Sequence, residues 1–405
     1  MGQRATWICW RVGLAIGLAC GLSAGCNRRA DSVPVATPDD AWPEPQAVEA
    51  RDRVMRRDAD ALRAECQRAA GGDWDKWQND TEPYRAALKA RLDALKAFDP
   101  PPAKWYDCRY EPLAPIDDFP LVEVSPREFL SYLVAPAAFD AFRKDRPVLA
   151  VHRWLKKRGI DLIFVPVPKM TEVYIEHFLG KYPPDGIIAP VVRRTLLELL
   201  DEDVEVVDGF PLFRALRQPD DEYLYNTADS HWAPKGMRIM AKELADRIAR
   251  YDFGQQARYG LPVVKATAGP HNIPGASLEG QFGQMTSQYA WPVLTPEQRT
   301  RAAKAQTKTT THLQTFDGKP VEDDPESPVI LLGNSYVLGF REVLIKELNL
   351  RIRSQWRAAG STDLFYEYLR DRKALDGCKV LIWITTDQHI PTFRELPEGI
   401  ATGAK

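Results

Sequence analysis

Short runs of consecutive apolar residues, separated by longer segments with helical periodicity, limit the possible fold of this chain most strongly. These runs lie at positions 162–165, 329–332 and 380–384, and a further run at 204–207 is interrupted by Glu205. A run without polar alternation predicts a strand that is buried on both faces, which is typical of parallel sheets. The segments between them, such as 189–200 and 237–248, place apolar residues on one helical face. We therefore predict an α/β fold, a parallel sheet flanked by helices, in which ligands bind beyond the carboxyl ends of the strands.

Prolines set one boundary of this pattern. Pro166 and Pro168 follow the first apolar run. Because proline has no N–H for a strand ladder, the first strand is predicted to end before Pro166 and to lead into a loop.

Near the other end of the chain, residues 350–353 predict an edge strand.

The tetrapeptide Asp229-Ser230-His231-Trp232 directly precedes Pro234 and the helical segment 237–248. Residues two apart in an extended segment point to the same side, so the Asp229 carboxylate can accept from Nδ1–H of His231. Nε2 then remains available for a hydroxyl proton, and Pro234 suits the first position of a helix. We interpret the motif as the acid and base of a serine-nucleophile site. Polar loop residues before a helix, or two ligands of a metal ion, are the alternatives.

The predicted nucleophile is Ser335, which follows the third apolar run and the dipeptide Gly333-Asn334. A nucleophilic serine needs exposure, a base, and amide donors for the developing oxyanion. A strand that bends at Gly333 and leads into a helix would expose the hydroxyl and turn its N–H towards the same pocket. Asn334 would brace the bend or add a donor, and Gly360, after another strand, would supply a second amide. A simple turn after a strand is the alternative interpretation.

Taken together, these segments resemble a known family. The resemblance rests on positions 164–169, 229–232, 333–335, 360–361 and 380–383. They are similar to the SGNH-hydrolase-like domain of AlgJ/AlgX-type alginate O-acetyltransferases, in which the Asp-His motif also precedes the Ser motif. The similarity extends from about residue 120 to about residue 395. Thr385–His389 stands where that family usually carries an acidic and Arg-containing segment.

The resemblance implies that Ser335 accepts an acetyl group, that His231 is its general base and that Asp229 orients the imidazole. The acetyl group would pass to hydroxyls of an exported, alginate-like polysaccharide, and a membrane-bound O-acyltransferase would supply it. Lys169 and Trp232 are weaker candidates for substrate contact. Lys169 would touch an anionic sugar or be solvated in a loop, and Trp232 would stack on a sugar or pack under the histidine. No cofactor is expected, and no Cys or His spacing predicts a metal site.

Two other functions remain open at this stage. A polysaccharide O-acetylesterase would use the same triad, because water and a sugar hydroxyl compete for one acyl-enzyme. A non-catalytic lipoprotein would instead serve as a scaffold of an export complex. The formal net charge of −2 gives no indication of a nucleic-acid partner.

Residues 1–25 are predicted to be a targeting sequence. Arginines precede the apolar stretch Val12–Leu22, which has the length of a signal-peptide core. Small residues that lead to Cys26 are typical of a bacterial lipoprotein site, where this cysteine becomes the lipidated N-terminus. The sequence thus predicts a membrane-anchored lipoprotein facing the periplasm. Ordinary cleavage near Ala24 and an uncleaved anchor are alternatives, and all three place the chain outside the cytoplasm.

The remaining boundaries follow from composition. Residues 26–50 contain four prolines and few large apolar side chains, which predicts a flexible spacer. Residues 51–119 predict an N-terminal helical region, and residues 120–395 predict the SGNH-hydrolase-like domain. Within that domain, residues 251–327 show no sustained period and predict an irregular insertion.

The cysteines allow one disulfide beyond the predicted lipidation site. In an oxidising compartment, Cys66 and Cys108 could form a disulfide bond that fastens the N-terminal region. This pairing would leave Cys378, at the start of the last predicted strand, as a small buried hydrophobic residue.

Overall fold

The computed structural model describes residues 42–96, 136–177, 179–217, 224–225, 231–268, 311–314, 321–357 and 361–393. The strands of these residues are β1 (Asp161–Val167), β2 (Glu205–Val206), β3 (Lys265–Ala268), β4 (Thr311–Gln314), β5 (Val329–Gly333), β6 (Arg353–Trp356) and β7 (Val380–Thr386). One five-stranded sheet has the order β2-β1-β7-β5-β6, and every neighbouring pair in it is parallel. Strands β3 and β4 form a separate antiparallel pair.

Helices surround this sheet. Within the described residues they are α1 (Pro45–Ala70), α2 (Trp74–Lys96), α3 (Pro136–Asp145), α4 (Pro147–Lys156), α5 (Met170–Val173), α6 (Pro190–Asp201), α7 (Gly209–Leu216), α8 (Pro234–Ile248), α9 (Asp252–Tyr259), α10 (Phe340–Leu348) and α11 (Ser361–Arg370). Short 3-10 turns lie at Ile175–His177, Ser335–Val337, Arg372–Leu375 and Asp387–Thr392.

The three central strands are buried along their whole length. Alternate residues of β1 enter opposite core layers. Ile163 and Val165 pack in the layer that contains α8 and α10, whereas Leu162 and Phe164 pack in the layer that contains α4 and α6. Because helices cover both faces of the sheet, the strands need no polar side, which explains their continuous apolar sequences. The predicted α/β fold with a parallel sheet is confirmed.

Strand β1 runs through Pro166, so the prediction that it ends before this proline is wrong. The paired residues of β1 and β2 extend only to Phe164 and Val206. The Phe164 carbonyl accepts from the Val207 N–H, so this residue directs its polar groups towards β2. Pro166, two residues later, turns its nitrogen to the same side, beyond the end of β2. The proline therefore costs the sheet no ladder hydrogen bond.

The edge strand begins later than predicted, at Arg353 instead of residue 350. The Arg353 guanidinium donates to the Ser327 carbonyl at 2.8 Å and to the Ala374 carbonyl at 2.9 Å. This buried side chain, which no local pattern reveals, fixes where β6 joins the sheet.

The N-terminal helical region is also confirmed, and it shares the core of the sheet. Helix α1 lies against α6 and β2, and its Met55, Ala59 and Leu62 enter the same apolar layer as α4 and α6. Ion pairs also join α1 to the rest of the fold. Among them are Arg51 with Asp161 of β1, Asp58 with Arg247 of α8, and Glu65 with Arg193 of α6.

Helix α1 begins at Pro45, within the segment predicted to be a spacer to residue 50. Pro45 occupies the first helical position, where its missing N–H costs nothing, so a proline that resembled a spacer residue instead starts the helix. The part of the predicted insertion at 251–327 that the structure describes is likewise not irregular, because it contains α9, β3 and β4. Tertiary contacts stabilise this region, since the Asn349 side chain binds the backbone of Ala257 and Val263.

Cys66 is a free buried thiol on α1 instead of half of a disulfide, and Cys378 is a second free buried thiol. Burial raises the pKa of Cys378 to about 12, which makes it an inert core residue as predicted. Residues 1–25, Cys26 and Cys108 lie outside the described residues. Within the part of the chain that is described, every helix is too short or too polar to span a bilayer.

Candidate active site

Three neighbouring strands end at one edge of the sheet. Strand β1 leads to Lys169, β7 leads to Asp387 and His389, and β5 leads to Asn334 and Ser335. Because the strands are parallel, their carboxyl ends lie on the same side, where α/β folds bind their ligands. This edge therefore collects side chains from distant parts of the sequence.

The turn that carries Ser335 depends on the two residues before it. A Cβ atom at Gly333 would lie 2.3 Å from the carbonyl oxygen of Ile384 in β7, so only glycine fits here. Asn334 is buried, and its Oδ1 accepts from the Tyr336 N–H at 3.1 Å, which caps the 3-10 turn. Glycine is thus required at position 333 because β7 approaches so closely. Asn334 braces the turn, which is one of its two expected roles.

His231 lies two residues before a backbone contact that restrains the start of α8. The Ala233 N–H donates to the Leu224 carbonyl at 2.7 Å, immediately before α8 begins. Gly236 in the first turn of α8 allows this contact, because a Cβ atom there would lie 2.5 Å from the same carbonyl oxygen. The imidazole therefore projects from a restrained segment directly before a helix, where the sequence predicts it.

Trp232 joins the His231 segment to the nucleophile turn. Its indole N–H donates to the Tyr336 carbonyl at 3.1 Å, and its ring stacks on Phe340 with centroids 4.6 Å apart. The side chain is completely buried, so the possibility that it stacks on a sugar is wrong. Its buried position next to His231 agrees with the alternative prediction, that Trp232 packs under the histidine.

Nε2 of His231 lies 2.7 Å from Oγ of Ser335, although 104 positions separate the two residues in the chain. Both residues are partly exposed, and the imidazole packs against the Tyr336 ring at a centroid distance of 4.7 Å. At this distance the lone pair of Nε2 can take the hydroxyl proton while Oγ attacks a carbonyl carbon. The structure thus brings together two of the three predicted catalytic groups. Asp229 and Gly360 lie outside the described residues.

Charged groups are buried behind this pair. Lys169, Glu172 and Asp387 are all at most 6% exposed. Nζ of Lys169 is 3.8 Å from Oδ1 of Asp387, and Oε1 of Glu172 accepts from the Ala189 N–H at 3.1 Å. Neither expected role of Lys169, a contact with an anionic sugar or solvation in a loop, agrees with this burial. Helix α5 begins at the next residue, so Lys169 is its N-cap and not part of an open loop.

Burial controls the protonation of these groups. Burial, with the adjacent Asp387 carboxylate, raises the pKa of Glu172 to about 7. Burial also lowers the pKa of Lys169, against the attraction of Asp387 and Glu172. The pKa of His389 is lowered by burial and, further, by the Lys169 charge. The His389 imidazole is therefore neutral near pH 7.

The sequence did not single out Glu172, Asp387 or His389 as site residues. The last two lie in the segment 385–389, whose departure from the family pattern was the available signal. Glu172 gave no signal, because it is one acid on a four-residue helix. Among the described residues, no three His, Cys, Asp or Glu side chains are grouped to hold a metal ion.

A parallel sheet with helices on both faces and a serine–histidine pair beyond the end of a central strand defines an SGNH-hydrolase-like α/β protein. The family model for the SGNH hydrolase-like domain of the acetyltransferase AlgX matches residues 131–385. This match covers more than half of the chain and includes both His231 and Ser335. The chain belongs to this family.

Individual relatives match only part of the chain or have low sequence identity to it. The chain is 32% identical over 104 residues to the probable alginate O-acetylase AlgJ of Pseudomonas fluorescens, and the match spans a quarter (25%) of each protein. The solved O-acetyltransferase domain of Pseudomonas putida AlgJ has 18% identity and a TM-score of 0.46, over 68% of this chain and 94% of that one. Pseudomonas aeruginosa AlgX has 17% identity and a TM-score of 0.41, over 63% of this chain and 57% of its own.

Proposed function

We propose that this chain is an O-acetyltransferase that moves an acetyl group through Ser335, His231 and Asp229 to hydroxyls of an exported, alginate-like polysaccharide. The observation that carries the proposal is the 2.7 Å contact between Nε2 and Oγ at the open edge of the sheet. Membership of an acetyltransferase family supports the transferred group. The name of the curated relative supports alginate as the class of acceptor.

In the first half-reaction, the Ser335 hydroxyl oxygen attacks the carbonyl carbon of the acetyl donor. His231 Nε2 takes the hydroxyl proton and gives it to the leaving oxygen of the donor, which leaves acetyl-Ser335. In the second, Nε2 takes the proton of a sugar hydroxyl as that oxygen attacks the acetyl carbon. The Ser335 oxygen then leaves and recovers the proton, so that enzyme and acid–base pair return to their starting state.

Both half-reactions place negative charge on the acetyl carbonyl oxygen, and backbone amides would stabilise it. Ser335 begins a 3-10 turn, and its N–H is the first donor that we assign to this role. The N–H of Gly360, four positions after the last residue of β6 in the sequence, is the second donor that we assign. Both side-chain ends of Asn334 already bind other protein groups, so we assign this residue to the turn and not to the oxyanion.

An exposed aromatic ring beside the nucleophile turn suits the acceptor. Trp356 ends β6, pairs in register with Gly333 and is 42% exposed. An indole offers a large rigid apolar face to a sugar ring at a small cost in conformational entropy. We place the acceptor sugar on Trp356, with one hydroxyl directed towards acetyl-Ser335.

The cellular setting of this proposal comes from the N-terminal sequence. A lipidated Cys26 would anchor the protein to a membrane on its periplasmic side, and a membrane-bound O-acyltransferase would bring acetyl groups to it. Mass spectrometry of the mature protein from a bacterial membrane fraction tests the anchor. A diacylglycerol-modified Cys26 supports it, and an unmodified N-terminus near Ala24 contradicts it.

The reaction is tested with 4-nitrophenyl acetate as donor and a uronic-acid oligosaccharide as acceptor. We expect acetylated oligosaccharide, and we expect Ser335→Ala and His231→Ala to lower its formation by about a thousandfold or more. Ser354→Ala is the matched control, because that hydroxyl binds Asp323 on the surface and should leave the rate unchanged. A chelator should not affect the rate, because the proton transfer needs only the imidazole.

Other outcomes would replace the proposal. If the oligosaccharide only speeds the release of free acetate and receives none, the protein is an esterase. If Ser335→Ala keeps full polymer acetylation in cells, the protein is a scaffold. If the chelator abolishes turnover, a metal-dependent mechanism replaces the triad.

A further inference from the structure

The Asn334 side chain connects the nucleophile turn to the end of the neighbouring strand. Its Oδ1 accepts from the Tyr336 N–H at 3.1 Å, and its Nδ2 lies 3.3 Å from Nδ1 of His389. The same Nδ1 is 2.8 Å from the hydroxyl of Thr386, the last residue of β7. Asn334 is 1% exposed, so these protein contacts determine its orientation.

These contacts determine which nitrogen of His389 carries the proton. A backbone N–H can only donate, so the amide atom of Asn334 that faces Tyr336 must be the oxygen. The NH₂ group then faces His389 and donates to it. Nδ1 must therefore be an unprotonated acceptor, and the proton of the neutral ring must sit on Nε2. Thr386 can donate its hydroxyl to the same lone pair, which holds the ring plane in place.

The surroundings of His389 keep the ring in this neutral form. Burial lowers the pKa of His389, and the Lys169 ammonium beyond it lowers the pKa further. Asp387, on the same 3-10 turn, lies towards Lys169 at 3.8 Å. Helix α3 also packs on this turn, and its charged Arg143 pairs with Glu198 of α6 at 2.6 Å and with Asp140 at 3.4 Å.

We propose that His389 is a positioning residue for the nucleophile: its neutral imidazole accepts the Asn334 amide at Nδ1 and thereby holds Asn334 as the cap of the turn that carries Ser335. This inference rests on the proposed function, in which Ser335 is the nucleophile. A protonated His389 would present N–H to the Asn334 NH₂ group, and two donors would then oppose each other. The cap would turn away, and the Ser335 oxygen would lose its fixed distance to His231.

Two substitutions of similar size separate this role from simple packing. In His389→Asn, the side-chain oxygen can occupy the position of Nδ1 and accept from Asn334. In His389→Gln, the amide reaches the position of Nε2 and leaves the Nδ1 position empty. We expect His389→Gln to lower kcat for acetyl transfer about tenfold with KM unchanged, the effect of one lost net hydrogen bond. His389→Asn should recover most of that loss, whereas equal losses in both variants would overturn the proposal.

The pH profile supplies a readout that a packing role would not change. His231 and His389 must both be unprotonated in the active enzyme, so the acid limb of kcat/KM should depend on two protons in the wild type. The amide introduced by His389→Asn cannot titrate, so this variant should show a dependence on one proton. An acid limb with the same proton dependence in both proteins would contradict the inference.

A measurement without turnover separates this inference from the proposed function. In protein labelled with ¹⁵N-tyrosine, the Tyr336 amide should shift as His389 is protonated, because that amide donates to Asn334. The component of this shift that disappears in His389→Asn reports the hydrogen bond between Asn334 and His389 directly. If no acetyl-Ser335 forms but this component is present, the proposed function fails and the positioning contact stands. If acetyl-Ser335 forms and the component is absent, only the present inference fails.

Discussion

Arg193 gives the sharpest test of how the N-terminal helix is joined to the catalytic domain. It lies on α6 and is 4% exposed. Its guanidinium is 2.9 Å from Oε2 of Glu65 on α1 and 2.6 Å from Oδ2 of Asp208, which precedes α7. Methionine replaces the apolar stem of the arginine side chain but not its charge. The substitution therefore leaves two largely buried carboxylates without their cation.

Removing one partner of a buried ion pair lowers the free energy of unfolding by about 3–5 kcal/mol, mainly because the remaining charge stays desolvated. For a chain of this size we expect a fall in Tm of roughly 4–6 °C at pH 8. The loss should depend on pH. Burial already raises the pKa of Glu65 against the attraction of Arg193, so without Arg193 this folded-state pKa rises further above its unfolded value. The folded variant then gains protons that the unfolded chain does not bind, so its deficit should be smaller at pH 5 than at pH 8.

Urea denaturation followed by tryptophan fluorescence at both pH values measures this effect, with calorimetry for Tm. Arg194→Met is the matched control, because Arg194 is 31% exposed and pairs with Asp75, which is 86% exposed. Such an exposed pair should contribute less than about 1 kcal/mol to the free energy of unfolding. Equal losses for the two variants, or a loss at Arg193 that does not change with pH, would refute the reasoning.

Further predictions concern the edge of the sheet. Gly333→Ala should lower the free energy of unfolding by about 3 kcal/mol, because the new Cβ atom would lie 2.3 Å from a backbone oxygen of β7. Gly180→Ala, where no atom lies within 4 Å of the added carbon, is its control in the same denaturation experiment. Glu172→Gln should remove a pH dependence of stability. Because burial raises the pKa of Glu172 from 4.5 to about 7, the wild type should lose on the order of 2 kcal/mol relative to the variant as the pH rises between these values, and parallel urea curves would contradict this. Trp356→Ala should raise KM for the oligosaccharide acceptor about tenfold while acylation by 4-nitrophenyl acetate changes much less, and an equal effect on both rates would remove Trp356 from the acceptor site.

The sequence predicted those parts of the fold whose cause is local. A strand covered on both faces must be apolar at every position, so the three central strands were visible as continuous runs. Asp229 and His231 were recognised together because they are two residues apart, and Ser335 because it follows a strand and a glycine. These patterns also explain why the predicted imidazole and hydroxyl could be assigned to one site before any distance between them was known.

The predictions that were wrong depend on contacts between distant segments. Pro166 stays within β1 only because β2 has already ended beside it. Lys169 resembled a loop residue, yet it is buried and lies 3.8 Å from the distant Asp387. Cys66 was open to a disulfide, and it is instead a free thiol buried in the same core layer as Trp77 of α2.

By itself, the amino-acid sequence determined the class of fold and the kinds of groups that meet at its edge, because periodicity and strand-end position are properties of neighbouring residues. Only the tertiary structure decided which of those groups touch. The 2.7 Å contact of His231 with Ser335 spans 104 positions. The role of His389 arises from a chain of hydrogen bonds that begins at the Tyr336 N–H and passes through Asn334. Such a chain exists only after β5 and β7 lie side by side, because hydrogen bonds depend on distances that no linear pattern contains.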